Sequence, residues 1–189
     1  MAEHPLIENI LTFWFSSAKS KTYGQFQPMW FKSTPQIDQA IKLRYEKILE
    51  EAKKGRFDDL QKTPEGMLTL ILLFDQFPRN MYRNSSKAYE TDEKARSLAQ
   101  KALDLGFDQK LPEFMRPFVY LPFEHSENLK DQEKSIALFE SLGNQHFLDY
   151  ALNHYDIIRR FGRFPFRNKY LKRVNTEEEN AFLKENKMM

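Results

Sequence analysis

Between Thr63 and Asn80 the chain reads Thr-Pro-Glu-Gly-Met-Leu-Thr-Leu-Ile-Leu-Leu-Phe-Asp-Gln-Phe-Pro-Arg-Asn. Thr63 followed by Pro64 is a helix start: a hydroxyl N-cap, then proline at the first helical position, where its missing N–H is no loss. Wound at 3.6 residues per turn, Met67, Leu68, Leu70, Ile71, Leu72, Leu73 and Phe74 cover nearly every side of the helix predicted over Pro64 to Phe77. Such a helix needs a shell of other elements around it. The run is also far shorter than the about 20 apolar residues of a membrane span. The rest of the chain must therefore supply partners for a central helix, and no membrane association is expected.

The partners read as helices too. Leu6, Ile7, Ile10, Leu11 and Phe13–Trp14–Phe15 form a short amphipathic opening helix, and Ser16 to Met29 is a polar loop. Thr34–Pro35 repeats the start signal, and Ile37, Ile41, Tyr45 and Ile48 follow at helical spacing to about Lys53, with Gly55 as the stop. Thr91 to Leu105 is a helix with Gly106 in the position that ends one in a left-handed conformation. Leu111 to Phe123 is apolar but broken by Pro112, Pro117 and Pro122, which predicts short helical turns. Glu127 to Leu142 ends at Gly143, with Ser126 as its expected N-cap, and Gln145 to Phe161 ends at Gly162. Asn175 with Glu178 resembles a capping box for a last helix.

Paired turn signals such as Asn-Gly are absent, and only six glycines occur. The expected fold is all-α, with seven to eight helices in antiparallel pairs: 34–53 with 64–77, 91–105 with 113–120, and 127–142 with 145–161. The pairs suggest a tetratricopeptide-like stack, without a clean 34-residue signature. No low-complexity linker divides the chain, so residues 1–189 are expected to form a single domain.

Composition closes several routes to function. There is no cysteine, which excludes disulfides, thiolate metal sites and a thiol nucleophile. Lys and Arg number 29 against 27 Asp and Glu, so the chain is not a broadly basic nucleic-acid binder. The opening residues carry Glu3 and Glu8 rather than a basic segment and a long apolar core, so a cytoplasmic location is expected. Four histidines with no HExxH-like spacing make a poor metal site, and neither metal nor cofactor is expected.

Several polar groups sit where the pattern says inside. Asp75 closes the apolar helix, where its charge opposes the helix dipole, and it calls for a cation such as Arg79 or Arg83. His154 lies on the stripe Phe147, Ala151, Ile158, Phe161. His125 follows the apolar segment Leu121–Pro122–Phe123–Glu124. Phe77–Pro78–Arg79–Asn80 is echoed by Phe164–Pro165–Phe166–Arg167–Asn168. If each proline opens a helical turn, each Arg-Asn pair lies at a positive helix end, and two such ends facing one space would hold an anion. Residues 159–173 are basic with interleaved aromatics, a pattern that single-stranded nucleic acid can use, but the near-neutral net charge disfavours it.

Phe13–Trp14–Phe15, Trp30–Phe31, Asp75–Gln76–Phe77–Pro78–Arg79–Asn80, Tyr120–Leu121–Pro122–Phe123 with His125–Ser126–Glu127, and Arg160–Phe161–Gly162–Arg163–Phe164–Pro165 with Arg167–Asn168 span nearly the whole chain. Together they resemble family 924 of the domains of unknown function, a tetratricopeptide-like all-helical family. The resemblance implies the fold and no settled activity. This sequence departs from the family pattern at Phe166, where histidine is expected, so an activity using that histidine would be missing here.

The expected function is binding, or acting on, a small anionic ligand in a polar pocket between helices. His125, His154 and Glu127 are the candidate acid/base groups. Asp75, Arg79, Asn80, Arg163, Arg167 and Asn168 are the candidate ligand-binding residues. The alternative is a tetratricopeptide-like scaffold that binds a peptide or protein partner in a helical groove.

Overall fold

A computed structural model describes residues 4–185; Glu3, read above with Glu8, lies outside them. Among the described residues there are eight α-helices and no strand. They are α1 (Pro5–Phe15), α2 (Pro35–Lys53), α3 (Pro64–Met81), α4 (Asp92–Asp104), α5 (Pro117–Glu124), α6 (Leu129–Leu142), α7 (Gln145–Phe161) and α8 (Glu177–Glu185). Short 3-10 turns join them, among them Asp58–Lys62, Ser86–Tyr89 and Pro165–Arg167. No helix among the described residues is long and apolar enough to cross a membrane.

The central helix is where its sequence places it. Every residue of α3 from Gly66 to Pro78 is buried, and α1, α2, α4 and α5 pack around it. The Thr63 hydroxyl accepts from the Gly66 N–H at 3.1 Å, as the N-cap reading requires. Gly66 is needed for closeness. A Cβ there would stand 2.2 Å from the Leu60 carbonyl oxygen, inside any van der Waals contact. The absence of a side chain lets the Asp58–Lys62 turn lie directly on the start of α3.

Local signals place most boundaries within a residue or two. Gly143 and Gly162 adopt left-handed conformations (φ 69° and 67°) at the ends of α6 and α7. Three expectations need correction. The N-cap of α6 is Asn128, whose side chain accepts from the Lys130 N–H; the Ser126 hydroxyl instead donates to Asp131. The capping box of α8 lies one residue later than expected: Glu179 N–H donates to the Thr176 hydroxyl, and Thr176 N–H donates to the Glu179 carboxylate. Asn175 is occupied by Asn168 and Asn180. Finally, Pro117 to Glu124 is one continuous helix, α5, despite Pro122 inside it.

One large apolar core extends from Leu6 to Ala151, with Trp14, Tyr45, Phe74, Phe77 and Phe118 among its fully buried side chains. A small satellite core of Ile157, Ile158 and Phe164, with Phe161, Phe166 and Phe182 against it, is built from the end of α7, the 165–167 turn and α8. Phe166 belongs to this satellite and also lines the open space described next.

Candidate functional site

The site begins with a proline that does not stop its helix. Pro78 has no N–H to donate to the Phe74 carbonyl one turn back. The Thr91 hydroxyl, from the start of α4, donates to that carbonyl at 2.6 Å and replaces the missing bond. So α3 continues to Met81, and Arg79 lies one turn beyond Asp75 on the same helix face. This overturns the expectation that Pro78 opens a new turn. Arg79 and Asn80 sit at the carbonyl-rich C-terminal end of a helix, and Pro165 opens only a three-residue turn. The arginines here act through their guanidinium groups, not through helix N-termini.

Asp75 is fully buried. Its Oδ1 is 2.8 Å from His125 Nδ1 and 3.2 Å from Arg79 Nη1, and Gln76 Nε2 donates to Oδ2. Burial alone would raise its pKa, but Arg79 and His125 outweigh burial and hold the carboxyl well below the usual range. An ionised carboxylate only accepts, so His125 Nδ1 carries the hydrogen and Nε2 keeps its lone pair. Burial and the Arg79 charge push the His125 pKa down, which keeps the ring neutral at neutral pH.

The chain end of α5 is fastened so that this ring stays in place. Gln132, buried on α6, donates to the carbonyls of Glu124 (2.6 Å) and Ser126 (2.7 Å). Arg167 Nη2 donates to the His125 carbonyl at 2.9 Å.

Arg79 also makes a two-pronged pair with Asp92, at 2.8 and 3.0 Å. Arg167 Nη1 is 3.5 Å from the same carboxylate. The Arg167 guanidinium lies between two rings, 4.4 Å from the centre of Phe164 and 4.6 Å from that of Tyr89. It is 6% exposed, and its Nε has no partner among the described residues. Burial and the nearby Arg79 lower its pKa to about 10, still charged at neutral pH.

A second acid and imidazole stand behind the first. Glu124 is 3% exposed, its Oε1 is 3.5 Å from His154 Nδ1, and its Oε2 has no partner among the described residues. Burial, aided by the Asp75 charge, raises its pKa to about 8. His154 Nδ1 also faces the Tyr150 carbonyl at 2.9 Å, and burial lowers its pKa to about 4. The pair is therefore uncharged at neutral pH, and His154 presents a bare Nε2.

Two open spaces adjoin these groups, of about 650 and about 550 Å³. Both are bounded by Arg79, Arg83, His125, His154 and Phe166, so they lie side by side as two lobes. The first lobe adds Arg167, Lys169, Tyr89 and Tyr170; it is lined by four cationic side chains and no carboxylate. Arg83 is held by Asp38 at 2.7 and 3.1 Å, and the Lys169 ammonium rests 4.6 Å from the Tyr170 ring centre.

Of the residues singled out from sequence, Arg79, His125, His154 and Arg167 line the cleft, Asn80 lines its second lobe, and Asp75 lies beneath. The other three face each other's neighbours. Arg163 pairs with Glu179 at 2.6 and 2.9 Å and donates to the Val174 carbonyl. Glu127 accepts from the Phe164 N–H and from Arg173, both at 2.9 Å. Buried Asn168 donates to Asn175. These contacts hold the turn that carries Arg167. Glu124, Asp92 and Tyr89 escaped the sequence reading as site residues. Glu124 gave a signal: like Asp75, it is an acid that closes an apolar run. Among the described residues no three His, Asp or Glu side chains are arranged to hold a metal ion.

A solved structure titled as a protein of unknown function, ATU0120 from Agrobacterium tumefaciens, is similar to this chain at 37% identity, with a TM-score of 0.85 over 95% of this chain and 97% of that one. No curated protein matches. Residues 10–187 match the model of the family described as bacterial protein of unknown function, DUF924, and the chain belongs to that family.

Proposed function

We propose that the cleft binds a small anion, a carboxylate or a phosphate, in its first lobe, with His125 Nε2 as a proton acceptor beside it. The carrying observation is the lining of that lobe: Arg79, Arg83, Arg167 and Lys169, with no carboxylate facing the space. The forks of Arg79 and Arg83 are engaged by Asp92 and Asp38, so the attraction is that of four positive charges lining one space rather than of a free fork. Asp75 supplies orientation, since its hydrogen bond fixes which nitrogen of His125 is free. Asn80 and His154 are assigned to the same ligand from the second-lobe side. Glu127, Arg163 and Asn168 are positioning residues for the Arg167 turn.

The same reading takes residues 1–189 as one domain with tetratricopeptide-like stacking. It is supported by the consecutive packing of each helix from α2 to α7 on the next. A peptide groove is the weaker account. It needs a continuous apolar floor, whereas the Trp30, Phe31, Leu121 and Phe147 surface of the second lobe gives way to Glu124, His125 and His154.

Calorimetric titration with inorganic phosphate and with acetate tests the proposal. At least one is expected to bind wild-type protein, more weakly as salt rises. Lys169→Glu, an exposed position, is expected to weaken binding while the protein stays folded. Failure of both anions to bind the wild type at millimolar concentration would overturn the reading.

A further inference from the structure

The two lobes share the wall formed by Arg79, Arg83, His125, His154 and Phe166, but their remaining linings differ in kind. The first adds Arg167 and Lys169. The second adds the apolar surface of Trp30, Phe31, Leu121, Phe147 and Ile157, with Lys32, Gln76, Asn80, Glu124, His146 and Asn153 around it. Each lobe alone has the size of a small-molecule site. A bare inorganic anion in the first lobe would leave the second unused.

The second lobe also contains a polar group in want of a partner. Glu124 lines this lobe, and its fully buried Oε2 is hydrogen-bonded to nothing among the described residues. A buried oxygen left in this state is costly, and one ligand atom within reach would satisfy it. Because burial raises the Glu124 pKa to about 8, the group is a carboxylic acid at neutral pH and can donate.

We propose that the second lobe receives the uncharged body of the same ligand, so that the site takes an amphiphilic acid: an anionic group in the first lobe, an aromatic or branched aliphatic group in the second, and between them one hydrogen-bonding atom that meets Glu124. The inference rests on the anion-binding reading of the first lobe. It adds the substrate class, and it places the middle of the ligand at His125 and His154, the two imidazoles common to both lobes. Phe166, also common to both, then divides the charged end from the apolar end.

Calorimetric titration with acetate, 4-phenylbutyrate and hippurate separates the parts. Acetate has only the anion, 4-phenylbutyrate adds an aromatic body, and hippurate adds an amide between the two. Burying a phenyl ring predicts that 4-phenylbutyrate binds about tenfold or more tighter than acetate. Hippurate is expected to bind tighter again. Glu124→Leu is expected to remove the advantage of hippurate over 4-phenylbutyrate and to keep the advantage of 4-phenylbutyrate over acetate. Asn153→Trp, an exposed second-lobe position on α7, is expected to fill the space and bring both aryl acids down to acetate. If acetate or phosphate binds wild-type protein but neither aryl acid binds tighter than acetate, the inference is overturned and the first-lobe reading stands. An aryl-acid advantage that survives intact in folded Asn153→Trp overturns it equally. If no anion binds at all, the first-lobe reading falls and this inference falls with it.

Discussion

Asp75 holds Arg79 and His125 together beneath the cleft. It is a fully buried carboxylate that Arg79 and His125 keep ionised. Asp75→Asn leaves the Arg79 charge with Asp92 alone and turns one of two acceptor oxygens into a donor, so His125 and Gln76 no longer each have an acceptor of their own. Breaking a buried pair in this way costs about 3–5 kcal/mol, readable in a denaturant melt. The same change is expected to push the His125 pKa further down, because the Asp75 charge favours the protonated ring. An NMR titration of the ring reads this directly. Glu124 behaves oppositely. Its pKa rises from an ordinary 4.5 to about 8 on folding, so the folded state holds the proton more tightly. The resulting stability is fully present below pH 4.5 and is lost as pH rises to about 8. Glu124→Gln is expected to flatten the fall of melting temperature between pH 6.5 and 8. Equal slopes in the two proteins would show that Glu124 is ionised throughout.

At the scale of the element, α3 is held together by a bond from outside it. The Thr91 hydroxyl fills the place of the Pro78 N–H on the Phe74 carbonyl. Thr91→Val keeps the shape and removes the donor, leaving a buried carbonyl unsatisfied. The expected loss is about 1–3 kcal/mol, measured by denaturant melt. The effect should reach the cleft, since the turn after Pro78 carries Arg79. Weaker anion binding in this variant, without any change in the cleft lining, is the accompanying result. The start of α3 was plain in the sequence because Thr-Pro chemistry is local. Its continuation past Pro78 was not, because the compensating donor lies 17 residues away on another helix.

At the scale of the molecule, the cleft lies where the satellite core of α7 and α8 meets the main core around α3. Phe166 belongs to the satellite; Asp75 and Arg79 belong to α3. The satellite is fastened by Arg163 on Glu179 and by Glu127 on the Phe164 N–H. Arg163→Ala is expected to lower the melting temperature. Hydrogen exchange should show α8 losing protection first, since Glu179 also holds the Thr176 N–H at the start of that helix. Unchanged protection of Glu177–Glu185 would show that the pair adds nothing to the docking of α8.

The sequence by itself determined that this chain is helical, that α3 is the centre, and that Asp75 calls for Arg79 or Arg83; the structure chose Arg79 and gave Arg83 to Asp38. Each of those depends on residues within a turn or two of one another: a hydroxyl and a proline at a helix start, an apolar surface wound on 3.6 residues per turn, an acid and a base four positions apart. Only the tertiary structure decided which other carboxylates and imidazoles join them. Glu124 rather than Glu127 lies at the cleft, because the prolines of α5 leave it one continuous helix ending at Glu124. Arg163 and Arg167, four positions apart, take separate roles because the turn at Pro165 sends one toward Glu179 and the other toward Asp92. Meetings between groups tens of residues apart follow from how helices pack, and side-chain chemistry along the chain carries no record of that distance.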